Sequence, residues 1–233
     1  MPTDIAHRLN GVRDQIADAA RRSGRLPTAV RLVAVSKTFP LEAIRAAAAA
    51  GQVDFGENKV QEAHTKIEGA GPMPLRWHLL GHLQSNKARK AAALFDMIHS
   101  VDSVELLRRL DAGASDRGRV VDILIQVDLG NEATKFGASP SEVPRFIDAA
   151  IGFRHARLAG LMTLPPAVDE PEDARPYFAE LRRLRDSLVA SGVPGERLRE
   201  LSMGMSHDFQ VAIEEGATIV RVGSAIFGAR TYA

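Results

Sequence analysis

Lys37 closes the apolar run Val33-Ala34-Val35-Ser36. In its neutral form the amine attacks aldehydes, and burial above an apolar layer lowers a lysine pKa toward that form. Two segments far downstream have the composition of anion-binding turns: Leu201–Asp208 and Val220–Gly228. Ser202, Ser206 and Ser224 offer hydroxyls there. Gly204 permits a tight turn, and Gly223 lets a phosphate approach the backbone. Each segment runs into a helix-like stretch whose first N–H groups lack partners. Each feature alone has a plainer reading, since lysines end many strands and serine and glycine fill many turns. Together they define an amine facing an anion cradle.

Pyridoxal phosphate needs that pairing: its aldehyde joins a lysine as a Schiff base while its phosphate is anchored at the far end. Two further side chains suit the ring between them. Arg221 shares a strand face with Ile219 and Gly223 by the two-residue period, so it aims at an interior and must find a partner or a ligand. One option is an ion pair with a neighbouring strand's carboxylate, Glu57 for instance. The other is a contact to the pyridine nitrogen, which would leave that nitrogen unprotonated and the ring a poor electron sink. Asn58, after Phe55-Gly56-Glu57, is placed either to bond the ring hydroxyl or to cap a helix. His78 and His82 are four apart, but on a strand and its loop and not on one helix face, so a zinc site is not expected. No metal ligand set and no dedicated catalytic base is assigned, and His82 and His207 receive no role. The basic run Asn86–Lys90 reads as a solvated helix face.

The elements that position these residues alternate along the chain. Strand-like runs fall at 31–37, 53–57, 76–81, 97–101, 121–129, 158–164, 198–204 and 218–223. Helix-like stretches separate them, with Ser103 and Ser139 placed as caps, the latter just before Pro140. Strands five to eight are nearly continuous in Val, Ile and Leu, as when both faces are covered. An additional N-terminal helix carries Ile5, Leu9, Val12 and Ile16 on one stripe, with Thr3 or Asp4 as its cap and Gly24 and Pro27 at its end. The pattern predicts an α/β fold, a single (β/α)8 TIM barrel over residues 1–233 with that extra helix. In such a barrel chemistry gathers at the C-terminal strand ends and phosphate after strands seven and eight, where Lys37 and the two turns fall. The Pro165–Pro171 segment reads as a loop.

Composition is that of an ordinary globular protein, 45% apolar and 25% charged over 233 residues. A net charge of +1 gives no reason to expect nucleic acid or a membrane surface as partner. The absence of cysteine excludes disulfides and thiol chemistry and fits a cytoplasmic setting. No stretch reaches the roughly 18 apolar residues of a spanning helix.

The chain resembles the pyridoxal phosphate homeostasis family, whose fold is like the N-terminal barrel of alanine racemase. The resemblance is carried by Val33–Lys37, Phe55–Asn58 with Val60–Glu62, Trp77–Lys87, Gly160–Pro165, Leu201–Asp208 and Val220–Arg230. It implies that Lys37 carries pyridoxal 5'-phosphate, that Ser206, Gly223 and Ser224 hold the phosphate, and that Arg221 faces the pyridine nitrogen. It further implies a monomer that buffers the cofactor or delivers it transiently to apoenzymes, without strong catalysis. Alanine racemase has a further C-terminal domain that supplies a catalytic tyrosine. This chain runs five residues past Gly228, and its tyrosines are Tyr177 and Tyr232. A slow amino-acid racemase or decarboxylase using the same Schiff base remains the alternative, with a Schiff-base aldolase behind it.

Overall fold

The computed structural model describes residues 2–130 and 136–229, so Arg230 and Tyr232 lie outside the described residues. Eight parallel strands close into a barrel in sequence order: β1 (Arg31–Val35), β2 (Asp54–Glu57), β3 (Arg76–Leu79), β4 (Met97–Val101), β5 (Val121–Val127), β6 (Ala156–Thr163), β7 (Glu200–Ser202) and β8 (Ile219–Val222). β1 and β8 seal it with Val33 opposite Arg221 and Ala34 opposite Val222. The (β/α)8 expectation is met.

The two-residue period of the strands sorts their side chains into two cores. Ala34, Phe55, Ile98, Ile123, Ile125, Val220 and Val222 face outward into the layer beneath the helices. Val33, Val35, Leu80, Met97, Leu124, Ala159, Met162 and Ile219 fill the barrel itself. Val33, Val35 and Lys37 alternate as the sequence predicts, so the lysine continues a face that is buried and apolar below it.

The outer layer holds α2 (Leu41–Ala49), α3 (Val60–Ala70), α4 (Ala88–Leu94), α5 (Val104–Ser115), α6 (Val143–Ile151), α7 (Arg175–Ala190) and α8 (Phe209–Glu214), with a short α9 (Ser224–Phe227) after β8. Ser103 caps α5 by accepting from the Leu106 N–H at 3.2 Å. Ser139 and Glu142 form a capping box around a 3-10 turn that leads into α6. The N-terminal helix α1 (Pro2–Arg22) lies against α2, α8 and α9 and buries Ile5, Leu9, Val12 and Ile16. Its expected cap is not where the sequence suggests. The helix already runs from Pro2, so Asp4 sits inside the first turn, where it pairs with Arg8 one turn on at 2.9 Å. Among the described residues no helix is long and apolar enough to cross a membrane.

Several strands stop earlier than their apolar runs. β1 ends at Val35 because Thr38 takes a left-handed backbone, φ 68°, which a β-branched residue rarely adopts. β7 is only three residues long: Leu198 closes a 3-10 turn before it, and Gly204 turns the chain with φ 89° after it. A Cβ at Gly204 would lie 2.6 Å from the Ala212 methyl and 2.9 Å from the Phe209 Cα, so only glycine allows α8 to pack this close to the turn.

Candidate functional site

At the C-terminal mouth of the barrel lies a cavity of about 510 Å3. It collects Lys37 from the end of β1, Asn58 from the end of β2, Ser206 and His207 from the turn after β7, and Arg221, Gly223 and Ser224 from β8 and its turn. Val35 and Leu80 form an apolar floor, and Leu164, Pro165, Ala167 and Met205 an apolar side. Six of the seven predicted binding residues therefore line one space. Ser202 is the exception. It is fully buried at the end of β7, outside that lining, and its hydroxyl is committed to His99 and Arg221, so it offers nothing to a phosphate.

The lysine's loop is clamped from below. Lys66 on α3 spends all three N–H donors: on the Ser36 carbonyl at 2.7 Å, on Glu57 Oε1 at 2.8 Å and on Glu62 Oε1 at 2.7 Å. Ser36 adds its hydroxyl to Glu57 Oε1 at 2.6 Å, and Glu62 accepts the Thr38 N–H at 2.6 Å. Both neighbours of Lys37 are thus tied to one ionic cluster, which holds the strained Thr38 backbone in place. Burial pushes the Glu57 carboxyl up, while Lys66 and Ser36 pull it down. Glu57 does not pair with Arg221, so that option for the arginine falls away.

Arg221 is 4% exposed and is held from within the barrel. Its Nη1 donates to Ser202 Oγ at 2.6 Å and its Nη2 to the Thr163 carbonyl at 3.0 Å. Burial lowers the guanidinium to about 10, with the Asp208 carboxylate opposing, so at neutral pH it stays charged. Asn58 caps nothing, since α3 begins after Lys59 without a side-chain cap bond. Instead its backbone is pinned against Gly81, where a Cβ would stand 2.3 Å from the Asn58 carbonyl oxygen.

The two glycine- and serine-bearing turns are joined to each other. Ser206 Oγ accepts the Gly223 N–H at 3.1 Å, so the hydroxyl bridges the turn after β7 to the one after β8. Ser224 is exposed at the first position of α9. His207 Nε2 donates to the Asp169 carbonyl at 3.0 Å, which leaves Nδ1 as the lone-pair nitrogen. His78 and His82 part company: His78 is inside the barrel, while His82 bonds Asp102 at 2.9 Å and stacks on Phe136 with ring centres 3.6 Å apart. Lys87, Arg89 and Lys90 are exposed, as a solvated face requires.

Sequence reading missed the Lys66 clamp and the buried histidines. The signal for the latter was present: His99 falls in the strand-like run Met97–Val101 on the same parity as the inward-facing Met97. His99 is wholly buried, and burial drives its pKa well below the ordinary 6.5, with the Arg221 guanidinium adding to the shift. The unfolded chain protonates His99 near 6.5 whereas the folded protein does not, so this residue's stabilising term is present above that pH and shrinks as pH falls below it. Urea unfolding between pH 6.5 and 5 should therefore lose up to about 1.4 kcal/mol per pH unit on account of His99. His99→Gln should flatten that slope, and an equally steep slope in the variant would contradict the assignment.

The chain is thus a closed parallel barrel that gathers an amine, an arginine and two bridged serine turns at its C-terminal mouth. The chain belongs to the family described as "Alanine racemase, N-terminal domain", whose model matches residues 8–231. It is 42% identical over 229 residues to a protein of Aquifex aeolicus named pyridoxal phosphate homeostasis protein, covering 98% of this chain and 100% of that one. A protein of the same name from Escherichia coli K12 is 40% identical over 232 residues, with 98% of each chain covered. Among solved structures, PipY of Synechococcus elongatus PCC7942 with pyridoxal phosphate bound superposes with a TM-score of 0.82 at 43% identity, over 96% of this chain and 100% of that one.

Proposed function

We propose that this protein binds pyridoxal 5'-phosphate at the C-terminal mouth of its barrel and buffers or delivers it, with no strong catalytic activity of its own. The observation that carries the reading is the single cavity lined by Lys37, Arg221 and the bridged Ser206–Gly223–Ser224 turns. The cavity suits the cofactor chemically: an amine for its aldehyde, a donor-only guanidinium for its ring nitrogen, hydroxyls and N–H groups for its phosphate. The names and bound ligand of the relatives support the same assignment. The cofactor supplies an electrophilic aldehyde that a lysine captures reversibly as a Schiff base.

In this reading Lys37 is the capturing amine, in the same cavity as the apolar Val35 and Leu80. Arg221 holds the ring nitrogen as an acceptor, which limits the ring as an electron sink, and Asn58 meets the ring hydroxyl. Ser206, Ser224 and the Gly223 backbone take the phosphate, while Ser202 contributes through Arg221 alone. Each hydrogen bond to a charged phosphate oxygen is worth roughly 1.5–3 kcal/mol. Ser206→Ala and Ser224→Ala should each weaken binding by about tenfold to a hundredfold. Ser206→Ala should have the larger effect because it also unties the two turns. A double variant that binds as tightly as the parent would move the phosphate elsewhere.

The slow-enzyme alternative has one observation in its favour. His207 lines the same cavity as Lys37, and with its Nε2 donating to the Asp169 carbonyl its Nδ1 is left to act as a base. Tyr177 is not among the lining residues. A general base is worth about a hundredfold to ten-thousandfold, so the two readings separate in a steady-state assay. Cofactor-loaded protein offered single amino acids should show turnover well below about one per second, and any substrate converted at that rate or faster would establish an enzyme.

A further inference from the structure

A continuous chain of buried hydrogen bonds runs through the barrel beneath the cavity. Arg76 Nη2 holds Asp54 Oδ2 at 2.6 Å, and Asp54 Oδ1 lies 2.9 Å from His78 Nε2. His78 Nδ1 is 2.9 Å from His99 Nε2, and His99 Nδ1 is 2.8 Å from Ser202 Oγ. Ser202 Oγ in turn accepts from Arg221 at 2.6 Å. The five residues from Asp54 to Arg221 come from β2, β3, β4, β7 and β8, and all are buried. The two imidazoles lie beside the apolar cluster that fills the barrel, and such an interior needs each of their nitrogens bonded.

The two ends of the chain dictate its direction. Burial pushes the Asp54 carboxyl up, but His78 and Arg76 outweigh it and hold the group below the usual carboxylate range. Asp54 is therefore an acceptor, and His78 Nε2 carries a proton. At the other end Arg221 has only donors, so Ser202 Oγ accepts from it and turns its own proton to His99 Nδ1. With both rings neutral, His99 Nε2–H must donate to His78 Nδ1. Every link then points the same way, from the guanidinium to the carboxylate, and aligned links polarise one another.

We propose that His78 and His99 are positioning residues for the cofactor site: through Ser202 they fix the orientation of Arg221 from the opposite end of the barrel, by a one-way hydrogen-bond chain anchored on Asp54. This rests on the reading that Arg221 meets the cofactor. With both rings neutral, the chain runs the other way only if the group facing His78 Nε2 becomes a donor. If His78 is forced to donate from Nδ1, then His99 accepts at Nε2 and donates from Nδ1 to Ser202. Ser202 then receives two donors and must send its own proton elsewhere, so Arg221 loses its polarised acceptor.

Asp54→Asn imposes that reversal with little change in shape. Arg76 keeps the amide oxygen, and the amide NH2 faces His78 Nε2 and demands a lone pair there. Ring-nitrogen NMR on histidine-labelled protein reads the outcome in cofactor-free samples. The parent should show His78 and His99 as neutral Nε2–H tautomers, and Asp54→Asn should show both as Nδ1–H. Loaded with pyridoxal phosphate, the variant should bind about tenfold more weakly, the effect of one misdirected hydrogen bond, with a displaced absorbance maximum. Either parent ring in another state overturns the proposal, even if the variant does not fold. Unchanged tautomers in the variant overturn it too, as do switched tautomers with unaltered affinity and spectrum. A parent that binds no pyridoxal phosphate would instead remove the proposed function, which the tautomers of the cofactor-free protein do not test.

Discussion

Lys37→Ala, mixed with pyridoxal phosphate and reduced with borohydride, should carry no pyridoxyl group, while the parent under the same conditions carries one per chain. No other described amine is placed to replace it, because among the described residues Lys37 is the one lysine that lines the cavity with Arg221 and the serine turns. Noncovalent binding should survive in weakened form, since the phosphate contacts come from β7 and β8 turns that the substitution does not touch. The parent's absorbance should shift on reduction, and the variant should show only the spectrum of free cofactor. A variant labelled as fully as the parent would contradict the assignment of the amine.

Lys66→Met should have the largest effect on stability of any single change near the site, about 3–5 kcal/mol. Glu57 is wholly buried, and among the described residues Lys66 is its one cationic partner at contact distance. Methionine fills the volume but leaves the carboxylate uncompensated, and it frees the Ser36 carbonyl and Glu62 as well. Because Glu62 also holds the Thr38 N–H, the loop carrying Lys37 should loosen, and cofactor capture should weaken along with stability. Adding Glu57→Gln to Lys66→Met removes the orphaned charge and should recover a large part of the loss in urea denaturation. A Lys66→Met protein within 1 kcal/mol of the parent would show, against the ~3–5 kcal/mol expected for breaking a buried pair, that the clamp is not structural.

The barrel was legible because each strand is a short apolar run set between helical stretches, and a closed parallel sheet leaves no other use for eight of them. Most of the site was legible for a related reason: Lys37, Asn58, Gly223 and Ser224 follow directly on strand ends, and strand parity alone sends Lys37 and Arg221 inward. Partner choice was not legible. Arg221 had Glu57 as its plausible counter-ion, yet Glu57 is claimed by Lys66 nine residues later on α3, a contact set by how that helix lies on the sheet. Ser202 resembled a phosphate ligand by composition, but it stands opposite His99, 103 residues away in sequence, only once the barrel has closed. Side-chain periodicity tells which face a residue takes. It does not tell what waits on the other side of a closed barrel.

Lys37 is proposed as the amine that captures pyridoxal phosphate. The most direct measurement is borohydride reduction of the loaded parent protein, followed by proteolysis and mass mapping of every lysine-containing peptide. A single pyridoxyl group, on Lys37, is the expected result. A pyridoxyl group found on Lys59 or Lys87 with Lys37 unmodified would contradict it.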